Sequence, residues 1–375
     1  MNSIVYVGMD VHTTHFTMCC HIKEENMDFA QMEIKPDVKS VLKYLENVRK
    51  EFEDGDEIVF KCVYEAGCLG YTLQKQLVDC GVDCSILAPT TMPQRRRTEI
   101  KTDKRDARKC ALCLANNTAS LVHIPTEEDE ATRDYIRMRN DAQGALRRIK
   151  QQTTSFCNRH GQLYKNIPGG GNYWTKKHLA WLGGLDLGNP LLNETLQEYL
   201  VQYRQAVDRV ELYDKRIVEI SNTKPYKGRV GRLRCFLGID TLTALAMLVE
   251  TSDFVRFATA QHYASYLGLV PGERSSGDSI HRTGITKTGN GYMRRLLIEA
   301  AQCYSRGTPG FKSKALKARQ AGNDPDVIAY ADRANNRLRR RFFKLIKTLP
   351  YNKAVMALAR ELACFVWGMM TDNIA

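Results

Sequence analysis

Proline is sparse in this chain, 11 in 375 residues, and its 26 glycines form no repeat, which excludes collagen-like and low-complexity architectures and argues against disorder. Long hydrophobic runs are missing as well. The longest, Leu362 to Met370, is about half of the ~18 apolar residues that a membrane span requires. The opening residues, Met1 to Gly8, lack the charged region and apolar core of a secretion signal, so neither a secreted nor an integral membrane protein is expected. Without that context the 12 cysteines read as reduced thiols rather than a disulfide scaffold. Cys110 and Cys113 have half of a zinc-site spacing, but no second Cys or His pair follows, so they are expected to be a packing pair on a helix.

What is abundant is positive charge. Lys and Arg number 55 against 42 Asp and Glu, a net +13, which points to a polyanionic partner. The length suits two or three domains. Residues 1–125 alternate strand and helix signals: a short apolar run Ile4 to Met9, a hairpin from Phe16 to Ile22 and Phe29 to Ile34, a helical face Val41, Leu42, Leu45 and Val48, and further strands ending near Glu65 and Leu87. That pattern predicts an α/β sheet with parallel members. Residues 126–225 read as two long antiparallel helices with an irregular aromatic tip, a helical hairpin or coiled-coil arm. Residues 226–375 form a mainly helical domain, in which Phe236 to Thr241 resembles the turn of a helix-hairpin-helix. A cytoplasmic protein is expected.

Four acids draw attention as a set. Asp10 and Glu65 each stand at the end of a predicted strand, where ligands of α/β sheets gather. Asp103 and Asp106, three apart at a helix start, share one helical face. Singly, each could be a turn or helix-cap acid. Together they would repel one another unless a cation neutralised them, and hard oxygen ligands of this kind suit Mg²⁺ or Mn²⁺. Residues 95–109 surround the pair with eight bases, Arg95, Arg96, Arg97, Lys101, Lys104, Arg105, Arg108 and Lys109, against three acids, as a phosphate-holding surface would require.

A second polar stretch, Tyr266 to Arg295, packs glycines, hydroxyls and bases between two apolar helices. Arg274, His281, Arg282, Lys287, Arg294 and Arg295 offer cations for phosphates, and a serine among them could act as a nucleophile. Spacing alone does not separate that reading from a Gly-Ser surface loop. Further on, Lys312 to Lys347 carries eleven Lys or Arg against three Asp.

Taken together, Gly8-Met9-Asp10, Tyr64-Glu65-Ala66-Gly67 with Gly70-Tyr71, Lys101 to Ala107, Arg159-His160-Gly161, Trp174 with Trp181, Tyr266 to Pro271, Ser275-Ser276-Gly277 and Gly284 to Asn290 resemble the DEDD transposases of the insertion-sequence 110 family over essentially the whole chain. The resemblance implies an RNase H-like (RuvC-like) N-terminal domain whose acidic tetrad, here Asp10, Glu65, Asp103 and Asp106, binds divalent metal. It also implies a C-terminal transposase domain with a nucleophilic serine, matched by Ser276 with Ser275 as the fallback. Assembly through the helical arm into a homo-oligomer, a dimer or tetramer, a structured guide RNA beside the DNA, and a nucleoid-associated place in a bacterial or archaeal cytosol are further implications. Asp278 stands where the family commonly has a second glycine, and Val11-His12 where Ser-Lys is frequent. The expected activity is excision and insertion of DNA through a serine-linked intermediate. Competing readings are a junction-resolvase-like metal nuclease with water as nucleophile, and an inactive nucleic-acid-binding scaffold.

Overall fold

A computed structural model describes residues 2–53, 57–93, 102–167, 169–273 and 281–374. The chain forms two compact units, Met1–Ile124 and Pro125–Ala375. Among the described residues, no helix is long and apolar enough to cross a membrane.

The first unit runs β1 (Asn2–Val11), β2 (Phe16–Ile22), β3 (Met27–Ile34), α1 (Val38–Arg49), β4 (Glu57–Glu65), α2 (Thr72–Asp79), β5 (Asp83–Leu87) and α3 (Asp103–Ala115). Its strands form one sheet in the order β3-β2-β1-β4-β5. β1, β2 and β3 pair antiparallel, whereas β4 and β5 join β1 in parallel, as crossovers through helices demand.

Side-chain alternation sorts β1 into two faces. Val5, Val7, Met9 and Val11 are buried with Cys62 and Tyr64 of β4 against Val41, Leu45 and Val48 of α1 and Leu73 and Leu77 of α2. The opposite face takes α3. There Val63 and Leu87 pack with Cys110 and Cys113, the expected helical packing pair. Gly8 lies directly beneath this helix, and a β-carbon built on it would stand 1.9 Å from the Ala107 carbonyl oxygen. Only glycine allows so close an approach.

Among the described residues, the second unit is helical apart from one small strand pair: α4 (Glu127–Arg159), α5 (Lys176–Gly183), α6 (Pro190–Ser221), α7 (Lys227–Leu233), α8 (Thr241–Thr251), α9 (Ala260–Tyr266), β6 (Pro271–Glu273), β7 (Arg282–Ile285), α10 (Gly291–Gln302), α11 (Lys314–Gln320), α12 (Pro325–Leu345) and α13 (Tyr351–Met370). α4 starts at the cap Thr126, whose side chain accepts from Asp129 N, and has four acids in its first turn, matching the helix dipole. α6 returns antiparallel along it. Arg139 forks onto Asp214 at 2.7 and 2.9 Å, Tyr135 meets Tyr213, and Leu146 packs with Tyr203 and Val210. At the tip, α5 covers Phe156, Leu196 and Leu200. Helices α7, α9, α10, α12 and α13 share a core around α8, which has an unbroken run of buried residues from Ala244 to Thr251. The turn between α7 and α8 is tight because Gly238, at φ +84°, abuts the backbone of Ala300. Asp240 caps α8 by accepting from Thr243 N at 2.7 Å, which puts a carboxylate at that helix start.

Candidate functional site

Parallel register runs from Asn2 opposite Glu57 to Met9 opposite Tyr64, so the next residues, Asp10 and Glu65, end side by side on the α3 face. Gly8, two residues before Asp10 on the same face, fixes where α3 crosses the sheet. Cys110 of α3 reports the convergence. Burial pushes its thiol up to about 12, and the negative charges of Glu65 and then Asp10 act in the same direction. Asp106 lies one helical turn before Cys110, and Asp103 is the first residue of the helix, behind the cap Thr102.

The four acids differ in exposure. Asp10 keeps 20% of its side-chain surface and Asp103 keeps 47%, Asp106 is half-buried, and Glu65 faces solvent. Oxygen donors at two strand ends and a helix start, with solvent access, are of the type that suits a hard divalent cation. They are also reachable by a phosphate, which a buried cluster would not be. Among the described residues, however, no three of these acids bring ligand atoms within 4.8 Å of one another, and the group that does is His12, His15 and Asp103.

Two histidines at this end were not foreseen as site residues. His12 Nε2 lies 3.4 Å from Asp10 Oδ2, and His15 Nε2 lies 3.2 Å from Asp103 Oδ2. The β1–β2 turn that carries them is closed by His12 N donating to His15 O at 3.0 Å. The only available signal was His12 itself, which departs from the Ser-Lys pattern; nothing local ties His15 to a residue 88 positions away.

Several of the proposed phosphate-binding residues, Arg95, Arg96, Arg97, Lys101 and Arg274, lie outside the described residues, as do Ser275 and Ser276. Arg282 is in β7, with its side chain outside the description. Arg105 is exposed on α3, Lys287 is exposed at φ +57°, and Arg295 is exposed with its guanidinium over the Tyr292 ring at 5.2 Å. Arg294 is engaged differently. Its Nη1 donates to the carbonyls of Leu267 and Thr288, both at 2.9 Å, and so ties the approach to β6 to the stretch after β7.

That stretch has a second anchor. Asn290 caps α10 by accepting from Tyr292 N and Met293 N, while its Nδ2 donates to Glu250 Oε2 at 2.6 Å. Glu250, with a side chain only 2% exposed, also accepts a forked pair of bonds from Arg137 of α4 at 3.0 Å each. The two strands flanking residues 274–280 thus rise from a base held by a buried carboxylate, an amide and two arginines.

Comparison with known proteins agrees with these two regions. A DEDD transposase model of the IS110 type, described as Transposase, matches residues 7–160, and one described as Transposase IS116/IS110/IS902 family matches residues 231–315. The transposase for insertion sequence element IS1533 of Leptospira borgpetersenii is 33% identical over 353 residues, 92% of this chain and 97% of that one. The transposase for insertion sequence element IS1111A of Coxiella burnetii is 22% identical over 83% of this chain and 78% of its own. The pilin gene-inverting protein of Moraxella bovis is 31% identical over 146 residues, 37% of this chain and 45% of its own. With a third of its residues shared along nearly the full length of such a relative, the chain belongs to the IS116/IS110/IS902 family of transposases.

Proposed function

We propose that the protein cuts and rejoins DNA to mobilise an insertion sequence, with Asp10, Glu65, Asp103 and Asp106 holding Mg²⁺ or Mn²⁺ and Ser276 as the nucleophile. The observation that carries the metal half is the placement of Asp10 and Glu65 side by side, facing the helix that begins with Asp103 and Asp106. The mixed sheet, with an antiparallel β1–β3 meander continued in parallel by β4 and β5, supports an RNase H-like reading of residues 1–125. The antiparallel α4–α6 pair supports a coiled-coil arm over 126–225, leaving 226–375 as the serine-bearing domain.

When bound, the divalent cation would supply charge stabilisation to phosphodiester oxygens in the transition state. The chain's own contribution is positional. Gly8 sets the distance from α3 to the sheet, and the carboxylates at 10, 65, 103 and 106 would draw together around the ion. Attack of Ser276 Oγ on a phosphorus would exchange one phosphodiester for another and release a DNA hydroxyl. The return attack by a hydroxyl would rejoin the strand with no external energy source. The relative named for gene inversion supports rejoining over simple hydrolysis, because inversion requires both. Exposed Arg105, Lys287 and Arg295, together with Arg95, Arg96, Arg97, Lys101, Arg274 and Arg282, would hold phosphates, consistent with the net charge of +13. The reading extends to a homo-oligomer, a dimer or tetramer, acting in the cytosol at the nucleoid, with a structured element-encoded RNA as a second nucleic-acid partner.

The experiment is a trapped protein–DNA adduct on element-end DNA with Mg²⁺. Wild type should form it. Ser276→Ala should lose it while keeping metal affinity, and Glu65→Gln should lose both. Full strand exchange by Ser276→Ala would refute the nucleophile assignment, and undiminished cleavage by Asp10→Asn with Glu65→Gln would refute the metal site.

A further inference from the structure

The turn between β1 and β2 and the start of α3 bring together three donors that differ from the oxygen-only tetrad. A ring nitrogen of His12, a ring nitrogen of His15 and a carboxylate oxygen of Asp103 all lie within 4.8 Å of one another. The closest pair, His15 Nε2 and Asp103 Oδ2, is 3.2 Å apart. Two donors at roughly 2.0–2.1 Å from a tetrahedral Zn²⁺ stand ~3.3 Å apart. The pair is therefore at ligand spacing, and His12 has to swing inward by only about an ångström or so to join it. Its side chain is 45% exposed.

The surroundings are arranged as outer partners of a metal site are. Thr14 Oγ1 lies 3.0 Å from His15 Nδ1, which leaves Nε2 aimed at Asp103. Asp10 Oδ2 stands 3.4 Å from His12 Nε2, so the histidine pair adjoins the tetrad through Asp10 as well as Asp103. The turn itself is held by the His12 N to His15 O bond, so both rings project from one closed loop.

We infer that His12, His15 and Asp103 form a transition-metal site, distinct in chemistry from the carboxylate tetrad, that takes Zn²⁺, Co²⁺ or Mn²⁺ in preference to Mg²⁺ or Ca²⁺. Two imidazoles and one carboxylate are a donor set of intermediate softness, whereas Mg²⁺ selects carboxylate and water oxygens. The ion would clamp the β1–β2 turn, which follows Asp10, onto the N-terminus of α3, which carries Asp103 and Asp106. Asp103 is thereby shared between this site and the tetrad. That consequence rests on the proposed function; the site itself does not.

The test is titration of the full chain with Co²⁺, followed by visible absorption and by calorimetry, in a background of Cys68→Ser and Cys80→Ser because those two thiols are exposed. In excess Mg²⁺, which keeps the carboxylate tetrad occupied, the expected result is one Co²⁺ per chain with the d–d bands of a nitrogen–oxygen site. His15→Gln should weaken binding by more than the roughly 10–100-fold that even an outer-shell partner carries, and Thr14→Ala by about tenfold. Bound Co²⁺ should also raise the melting temperature of the wild type and leave that of His15→Gln unchanged. Unaltered affinity in a His12→Ala, His15→Ala double variant, or displacement of Co²⁺ from the wild type by Mg²⁺, would overturn the inference. Glu65→Gln separates the two readings, since it should abolish the Mg²⁺-dependent adduct and leave Co²⁺ binding at the histidines intact.

Discussion

Gly8 of β1 lies so near α3 that a β-carbon placed on it would sit 1.9 Å from the carbonyl oxygen of Ala107 and 2.5 Å from the amide nitrogen of Ala111. Both contacts are backbone, which cannot rotate away. Gly8→Ala is therefore expected to force α3 off the sheet at a cost upward of about 3 kcal/mol, beyond the usual range for overpacking by a single methyl. Since α3 carries Asp103 and Asp106 and Gly8 precedes Asp10 by two residues, calorimetric Mg²⁺ affinity should fall along with the denaturation midpoint. A Gly8→Ala protein with native stability and full metal binding would show that α3 does not position the acids.

Glu250 gives a prediction for the other unit. Its carboxylate joins α8 to α4 through Arg137 and to the start of α10 through Asn290. Glu250→Gln keeps the shape and removes the charge. Because hydrogen bonds to charged groups contribute about 1.5–3 kcal/mol, a loss near 2 kcal/mol is expected by chemical denaturation. Loosening Asn290 should also displace the segment after β7 and lower formation of the trapped DNA adduct by about tenfold or more, with Mg²⁺ affinity unchanged.

How much of this was legible in the sequence depends on whether a residue's role is set by its neighbours in the chain. Alternation in Val5, Val7, Met9 and Val11 and the apolar run before Glu65 made the strands readable, and strand-end position then singled out Asp10 and Glu65. The pairing of α4 with α6 was equally readable from two long helical stretches joined by an irregular aromatic tip. His15 could not be found that way, because its partner Asp103 is 88 residues distant and is brought near only by α3 folding back over β1 and β2. Basic residues are opaque in a different manner. Arg339, in the basic run beyond residue 312, is buried with Nη1 on the carbonyls of Thr308 and Phe311, and Arg337 and Arg341 both pair with Glu361. Charge in a sequence shows the sign of the side chain and not whether it faces phosphate or the protein's own carbonyl groups.

The arm tip should respond to acid. His178 is buried among Tyr164, Tyr173, Trp174 and Trp181, and its Nδ1 accepts from Trp174 N at 2.9 Å, so the folded state needs the neutral ring. Burial lowers its pKa below the ordinary 6.5, which makes the unfolded chain the first to take up a proton as pH falls. The stabilisation is complete above pH 6.5 and is lost progressively below it, down to the folded-state value. Fluorescence of Trp174 and Trp181 should report loosening of the tip in that window. A His178→Gln variant should show a flatter pH response there, and an unchanged response would assign the transition to other groups.

Arg294 and Arg295 adjoin in sequence, yet the structure gives them opposite employment. Arg295 is exposed, with its guanidinium over Tyr292, and is free to meet a phosphate. Arg295→Ala should weaken DNA binding with little sequence preference and reduce the slope of log K against log salt by about 1, at unaltered stability. Arg294 donates to the carbonyls of Leu267 and Thr288, and Gly268 beside it has no space for a β-carbon, which would stand 2.9 Å from Arg294 Nη1. Arg294→Ala should therefore leave the salt slope unchanged while lowering the denaturation midpoint and the yield of trapped adduct. Arg294→Lys should restore little, because one ammonium on a flexible stem does not reproduce the planar donor held between two carbonyls. Equal salt slopes for wild type and Arg295→Ala, with a reduced slope for Arg294→Ala, would reverse the two assignments and make the loop anchor a phosphate contact.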